Sequence, residues 1–404
     1  MRATHPLTRP SSTLRRLSVL AAAATLALTI TSCSVGDSDD GPVISPLNAQ
    51  EANAAAPNNS RSLMDSDPLP TAEGTVSMIT SDENRKKGTV AGDMTTTVVS
   101  RERSTDKFQW AVSIKPAVAN QERTEYADNA QSAMSENMDL SSTGSAVVSP
   151  DGRYLSLILL PAEQQSGETA ADQRTHIVVL DAQTGKAVRT AEVSGIVLGQ
   201  ALTNSSLAVE TAQNYFPAGS GRGTITTFSL TDTSAQPSSF PTDKWLVGAT
   251  REDLVLAPNR LPESCLFGCS LTTISLVSID GTTAGSVTGV TAVHPGGWIR
   301  RLADPKTVSD LWQRSRTASE EEKKSLSSSW ETLEQQLVNP SIKKTIDITG
   351  KTVLECGVST GPGLLVKQDV PDGKDSTVPK RVFWLSSADD GHPHTENLEQ
   401  FSDH

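Results

Sequence analysis

Histidine and cysteine are scarce in this 404-residue chain, which carries six His and four Cys. The spacings that would make them chemical are missing as well. There is no zinc-protease helix motif, no Ser-centred nucleophile elbow and no glycine loop opening a phosphate-cradling helix, so three large enzyme classes lose their sequence grounds. The Gly-rich stretch Ala218 to Gly223 precedes a strand pattern and reads as flexible loop. His392 and His394, near the acidic C-terminus, read as solvated tail, with weak metal binding as the alternative. No cofactor and no metal site is expected. Positive charge is also short: 35 Lys and Arg against 47 Asp and Glu leave a formal charge of -12, which argues against nucleic acid as a partner.

Residues 1–33 hold no acid at all. Arg2, Arg9, Arg15 and Arg16 precede an apolar run from Leu17 to Ile30, too short to span a bilayer comfortably. This is the pattern of an export signal, not of a domain. Its end, Ile30-Thr31-Ser32-Cys33, resembles the lipobox of bacterial lipoproteins. The resemblance implies that Cys33 becomes the diacylated, then often triacylated, N-terminus, with the protein held by its acyl chains at the extracytoplasmic face of the cell membrane. Acyl chains contribute roughly 0.8 kcal/mol per buried methylene, so two or three anchor stably where one does not. Arg15-Arg16 resembles a twin-arginine signal, but Leu14 and Ser18 do not fit that pattern and general secretion is expected. Removing residues 1–33 takes away four Arg and moves the formal charge to -16. Anionic headgroups repel such a chain, so the acyl anchor, not a basic patch, has to hold it.

From residue 34 to 73 the chain is rich in Asp, Ser, Ala, Asn and Pro, and is expected to be a flexible acidic tether. A coil of that length has a root-mean-square span on the order of 35 Å. Outside the cytoplasm Cys265 and Cys269, four apart in a loop-like segment, are expected to form a disulfide. Cys356 reads as a small buried hydrophobe on a strand, with pairing to Cys265 or Cys269 as the alternative.

Residues 74–404 show short β-branched runs broken by turn dipeptides. The clearest unit reads as four strands: Ser145 to Val148, Tyr154 to Leu159, His176 to Asp181 and Lys186 to Val193. Its first turn, Ser149-Pro-Asp-Gly-Arg153, is similar to that of Tol-system and related Trp-Asp-like propellers, and Val179-Leu-Asp-Ala-Gln-Thr-Gly-Lys186 resembles quinoprotein-type repeats. The resemblance implies an all-β fold, a single β-propeller. Weaker copies follow at similar spacing, through Thr352 to Glu355 in a fourth later unit and Arg381 to Leu385 in a fifth. With a first blade closed jointly by both chain ends, about six four-stranded blades are expected, with five or seven as alternatives. A quinone enzyme of this type would place a docking Trp after the Thr-Gly-Lys turn, where Arg189 stands near that position, and its adjacent Cys pair is missing. Asp181 and Asp280 read as turn formers rather than cation ligands.

Long connections recur between second and third strands, so they are expected to emerge on one face. The largest, 305–339, is expected to be a helical insertion, capped by Asp304-Pro305 and by a Thr317 to Glu320 capping box, with Leu326, Trp330, Leu333 and Leu337 on one face. Trp312 and Trp330 are candidates for a partner surface, core packing being the alternative. The functional expectation is a lipid-anchored binding or scaffolding module that meets a protein or envelope ligand on its loop-decorated face. A cation- or quinone-dependent propeller enzyme and a carrier for envelope components are the alternatives. For the anchor, Cys33→Ala is expected to release the protein into the medium or leave unprocessed precursor. Unaltered processing and membrane retention would contradict lipidation.

Overall fold

The computed structural model describes residues 41–55, 69–80, 94–103, 105–119, 145–161, 167, 169–213, 223–258, 272–331, 333–355, 363–371 and 377–386. The chain divides into two units, Met1–Asp40 and Gly41–His404, and every described residue belongs to the second. The export signal, Ile30, Thr31, Ser32 and Cys33 therefore lie outside the described residues. So do Cys265, Cys269, Cys356, His392 and His394.

Antiparallel sheets follow one another along the chain. The first takes Val43–Leu47 (β1), Leu69–Pro70 (β2), Gly74–Thr80 (β3), Thr96–Glu102 (β4) and Phe108–Lys115 (β5), in the order β1-β5-β4-β3-β2, with helix Ala49–Ala55 (α1) after β1. The second is a plain meander of Ala146–Val148 (β6), Tyr154–Ile158 (β7), Arg174–Asp181 (β8) and Ala187–Ser194 (β9). The third repeats it with Ile196–Leu202 (β10), Ser206–Ala212 (β11), Gly223–Ser229 (β12) and Ser238–Thr242 (β13). Seven strands then share one sheet: Trp245–Ala249 (β14), Leu254–Ala257 (β15), Thr272–Val277 (β16), Thr283–His294 (β17), Trp298–Leu302 (β18), Gln335–Asn339 (β19) and Lys344–Asp347 (β20). Helices Pro305–Thr317 (α2) and Glu320–Glu331 (α3) separate β18 from β19. Thr352–Glu355 (β21), Gly363–Pro371 (β22) and Thr377–Ser386 (β23) complete the described strands.

The seven-stranded sheet is two units joined by one continuous strand. The first half of β17 pairs with β16, through Ile274 with Val287, and the second half pairs with β18, through His294 with Trp298. That second half also lies against β14, where a Cβ on Gly248 would sit 3.0 Å from Val293 Cγ1. It thus closes the fourth unit and opens the fifth, which gives six antiparallel units among the described residues.

Why the units stack is written in their alternation. On β8, Val178 and Leu180 pack with the first sheet while Ile177 and Val179 pack with the third. All four are fully buried. A strand with two apolar faces must be covered twice, and a fully buried Val, Leu or Ile contributes about 1.5–3 kcal/mol relative to exposure. The third and fourth units meet the same way through Ala208, Ile225, Leu254 and Leu256, and the fifth meets the last sheet through Trp298, Leu337, Leu364 and Val366. The first strands β6, β10 and β14 are in turn neighbours. Successive meanders packed face to face with their first strands adjacent make the β-propeller.

One turn recurs in the hairpins that join first to second strands. Thr71, Thr203 and Thr250 are buried, and each hydroxyl accepts the backbone N–H three residues on, from Gly74 at 3.2 Å, Ser206 at 2.9 Å and Asp253 at 2.9 Å. Ser149 plays the part in the second unit, accepting from Tyr154 N–H at 2.9 Å. The turns also bond to one another: Asp151 N–H donates to Asn204 Oδ1, and Asn204 N–H to the Arg251 carbonyl.

Several expectations need correction. Part of the stretch read as tether is ordered: β1 pairs with β5 over five residues, and α1 buries Ala52 against Val99 and Ala111. Ile44 and Leu47 supply apolar contact to a sheet edge, where Pro46 is tolerated. Among the described residues the first sheet is bounded by β1 and β2, with no strand from the other end of the chain, and Thr352–Glu355 belongs with β22 and β23. Gln335–Asn339 is a strand, not the end of a helix, because β18 and β20 pair with it on both sides.

Thr250→Val removes a buried acceptor without changing side-chain volume. A buried group left unsatisfied costs about 1–3 kcal/mol, so the unfolding free energy should fall by that amount, read as a lower urea midpoint at unchanged slope. An unshifted midpoint would mean that the turn bond contributes nothing.

Candidate functional site

A groove of about 390 Å³ opens where β17 leaves the fourth unit for the fifth. Its origin is a bulge. Between Thr272 paired with Val290 and Ile274 paired with Val287, β17 carries one residue more than β16, and Gly289 takes φ 74° there. Bulges bend their strand. A Cβ at Gly289 would lie 2.6 Å from the Leu302 carbonyl oxygen and 2.8 Å from Pro305, so only glycine lets the strand pass this close to β18 and the start of α2. Outside the bend, Ser286, Val287 and Thr288 form one wall, and Val338, Asn339 and the turn from Pro340 to Thr345 form the other.

Charge in the groove has one sign. Arg301 comes from β18, and Lys343 and Lys344 come from the hairpin between β19 and β20, while no lining residue is acidic. Arg301 donates Nε at 3.0 Å and Nη2 at 2.8 Å to Gln336 Oε1, directly opposite on β19. The amide brings no counter-charge to the guanidinium. Its neighbour Arg300 binds Gln335 in the same way, at 3.2 and 2.5 Å, and burial pulls that guanidinium below its ordinary range. Lys343 stands at φ 54°, a left-handed position that glycine or asparagine usually takes. Among the described residues neither lysine is paired with a carboxylate. Glu334, which receives Gln336 Nε2 at 2.7 Å, and Asp347, opposite Gln336, are the nearest acids along these strands and are not among the lining residues.

The expected site residues fall elsewhere. Trp312 lies in α2 and Trp330 in α3. Asp304 caps α2, accepting from Lys306 N–H at 3.1 Å and Thr307 N–H at 3.2 Å, with Pro305 in the first turn as expected. Bonds from Thr307 hold its carboxyl below the usual carboxylate range. The capping box of α3 sits two residues later than expected: Ser319 N–H donates to Glu322 Oε2 and Glu322 N–H to Ser319 Oγ. Asp181 and Asp280 are turn formers, binding Thr184 and Ser278 with Thr282. Arg189, near the position of a docking Trp, gives its guanidinium to the carbonyls of Ser229, Thr233 and Ala235 and lies over Phe228. Among the described residues no group of three His, Cys, Asp or Glu is placed to hold a metal ion.

Two buried polar links between units were not foreseen. Glu210, fully buried on β11, accepts Leu246 N–H of β14 at 2.8 Å, and Ser156 Oγ of β7 donates to Gln200 Oε1 of β10 at 2.7 Å. A charged residue inside Leu207-Ala-Val-Glu210, an otherwise apolar run, was the available signal. The groove had a weaker one, the adjacent Lys343 and Lys344, because Arg301 joins them only through the fold.

No model of a protein family matches the sequence, and no curated protein matches it. Solved structures resemble the chain at low identity. They include the β-propeller domain of the Trilobed protease from Pyrococcus furiosus, 14% identical over 82% of each chain with a TM-score of 0.36. TolB from Acinetobacter baumannii is 12% identical over 76% of this chain and 60% of its own, with a TM-score of 0.29. Pyrococcus horikoshii acylaminoacyl peptidase is 9% identical over 83% of this chain, with a TM-score of 0.35. The chain spans about half the length of the acylaminoacyl peptidases it matches, 45% and 53% in two cases.

Gly289→Ala places a methyl group against the Leu302 carbonyl. Backbone strain of this kind costs about 1–3 kcal/mol, and the urea midpoint should fall accordingly. A variant as stable as the parent would mean that β17 does not need its bend.

Proposed function

We propose that the protein is a lipid-anchored, extracytoplasmic β-propeller acting as a binding or scaffolding module at the cell surface. The N-terminal pattern ending at Cys33 supports the anchor and the location. The observation that carries the binding role is the insertion between β18 and β19. Two helices stand there on a rigid β unit, and Val308, Leu311 and Leu326 bury their apolar side. The two helices pack on each other and so form one platform. Because β17 supplies the first strand of the fifth unit, this insertion joins a second strand to a third, as do the connections 159–173, 213–222 and 258–271 in the three preceding units. Equivalent connections of a propeller emerge on one side, and loops on rigid scaffolds are where contacts with partners concentrate. An exported platform of this type suits a protein or an envelope component.

Replacing residues 305–331 by a short Gly-Ser linker should leave cooperative unfolding intact and abolish co-purification of surface partners from the host envelope. Unchanged partner recovery with the shortened chain would overturn this reading.

A further inference from the structure

We infer that the groove between β17 and the β18–β20 strands is a binding site for a phosphate group, carried by an ester or an anhydride. Its three cations, Arg301 of β18 and two from the β19–β20 hairpin, meet in a chain whose overall charge is -12. Like charges gathered without counter-charge repel one another, and they raise the local concentration of anions. Elsewhere the described cations are mostly spent within the fold. Arg189 serves three backbone carbonyls, Arg101 meets Asp106 at 3.7 Å, and Lys323 meets Glu320 at 2.6 Å. Arg301, Lys343 and Lys344 have no such carboxylate among the described residues. Arg301 is also aimed: two of its donors are fixed on Gln336, which leaves Nη1 and the guanidinium charge for a ligand.

The donor set selects the class of anion. A planar carboxylate offers two oxygens and is matched by one guanidinium edge. Here the lining offers more than one guanidinium edge: Arg301, two lysines and the hydroxyl residues Ser286, Thr288 and Thr345. A tetrahedral phosphate presents oxygens in all of these directions. Arg binds it through paired donors and Lys as a point charge, and the groove volume falls within the range of small-molecule sites, roughly 300–1,000 Å³. Lys343 adds a conformational argument. Its left-handed backbone is uncommon for a residue bearing a Cβ, and such positions concentrate at functional sites. This site is separate from the α2–α3 platform, and either reading can fail alone.

The test is titration calorimetry on the full-length chain in detergent at low ionic strength. The probes are sodium tripolyphosphate and sn-glycerol 3-phosphate, with citrate as a carboxylate of comparable charge. Both phosphates are expected to give saturable heats at about one per chain, with citrate at least about tenfold weaker, a difference of about 1.4 kcal/mol. Lys343→Gln with Lys344→Gln should weaken the phosphates by about tenfold or more with an unchanged unfolding temperature, and Lys306→Gln with Lys323→Gln on the helices should leave them within about twofold. Absence of saturable heat, equal binding of citrate, or an equal loss in the helix variant would each overturn the assignment.

Discussion

The structure depends on one constraint: the inner strands β7, β8, β11 and β15 are buried on both faces. A sheet with Val178 and Leu180 on one side and Ile177 and Val179 on the other cannot stand beside water. Covering both faces with neighbouring sheets forces the units into succession, each serving as the lid of the next. The polar bonds between units follow from that closeness. Trp110 Nε1–H of β5 reaches the Ala182 carbonyl in the second unit at 2.9 Å, and the same indole occupies the space that a side chain at Gly185 would need. Buried Gln200 and Glu210 can be tolerated between sheets because each has a partner across the gap.

The same constraint explains the groove. Sheets packed on their first strands diverge toward their outer strands, and the divergence must be filled or left open. Between the second and third units Arg189 and Phe228 fill it. Between the third and fourth, Phe240 packs against Ala208, Ile225 and Leu256 and occupies the space beside Gly281. Between the fourth and fifth, β17 itself crosses from the outer edge to the first-strand position, and its bend at Gly289 leaves the wedge lined by Arg301, Lys343 and Lys344. A connection solved by continuing a strand, instead of ending it, is what sets this interface apart.

Much of the fold was legible because its signals are local. The Asp151-Gly152 turn, the alternation through β7 and β8 and the Gly185 turn sit within fifty residues, and β6 to β9 fall where they were expected. What was not legible depends on distant partners. Ser238–Thr242 is a polar edge strand carrying Pro241, and its only strand-forming influence is pairing with β12. Leu333 and Leu337, four apart after Leu326, mimic a helical stripe, but α3 ends at Glu331 and pairing with β18 and β20 decides the conformation of Leu337. In β17 the glycines at 285 and 289 break the apolar pattern, so the strand that joins two units has no local signal. The candidate site was hidden for the same reason: Arg301 and Lys343 are neighbours only once β18, β19 and β20 have paired.

The central claim is a rigid stack whose free surface, not its interior, receives ligand. Native-state hydrogen exchange of the full-length chain with and without tripolyphosphate tests it most directly. The claim predicts that the amides of β7, β8 and β11 exchange only through global unfolding in both cases, and that added protection is confined to 286–290 and 340–345. Fast exchange in β7, β8 and β11, or protection spread through those strands on ligand addition, would contradict it.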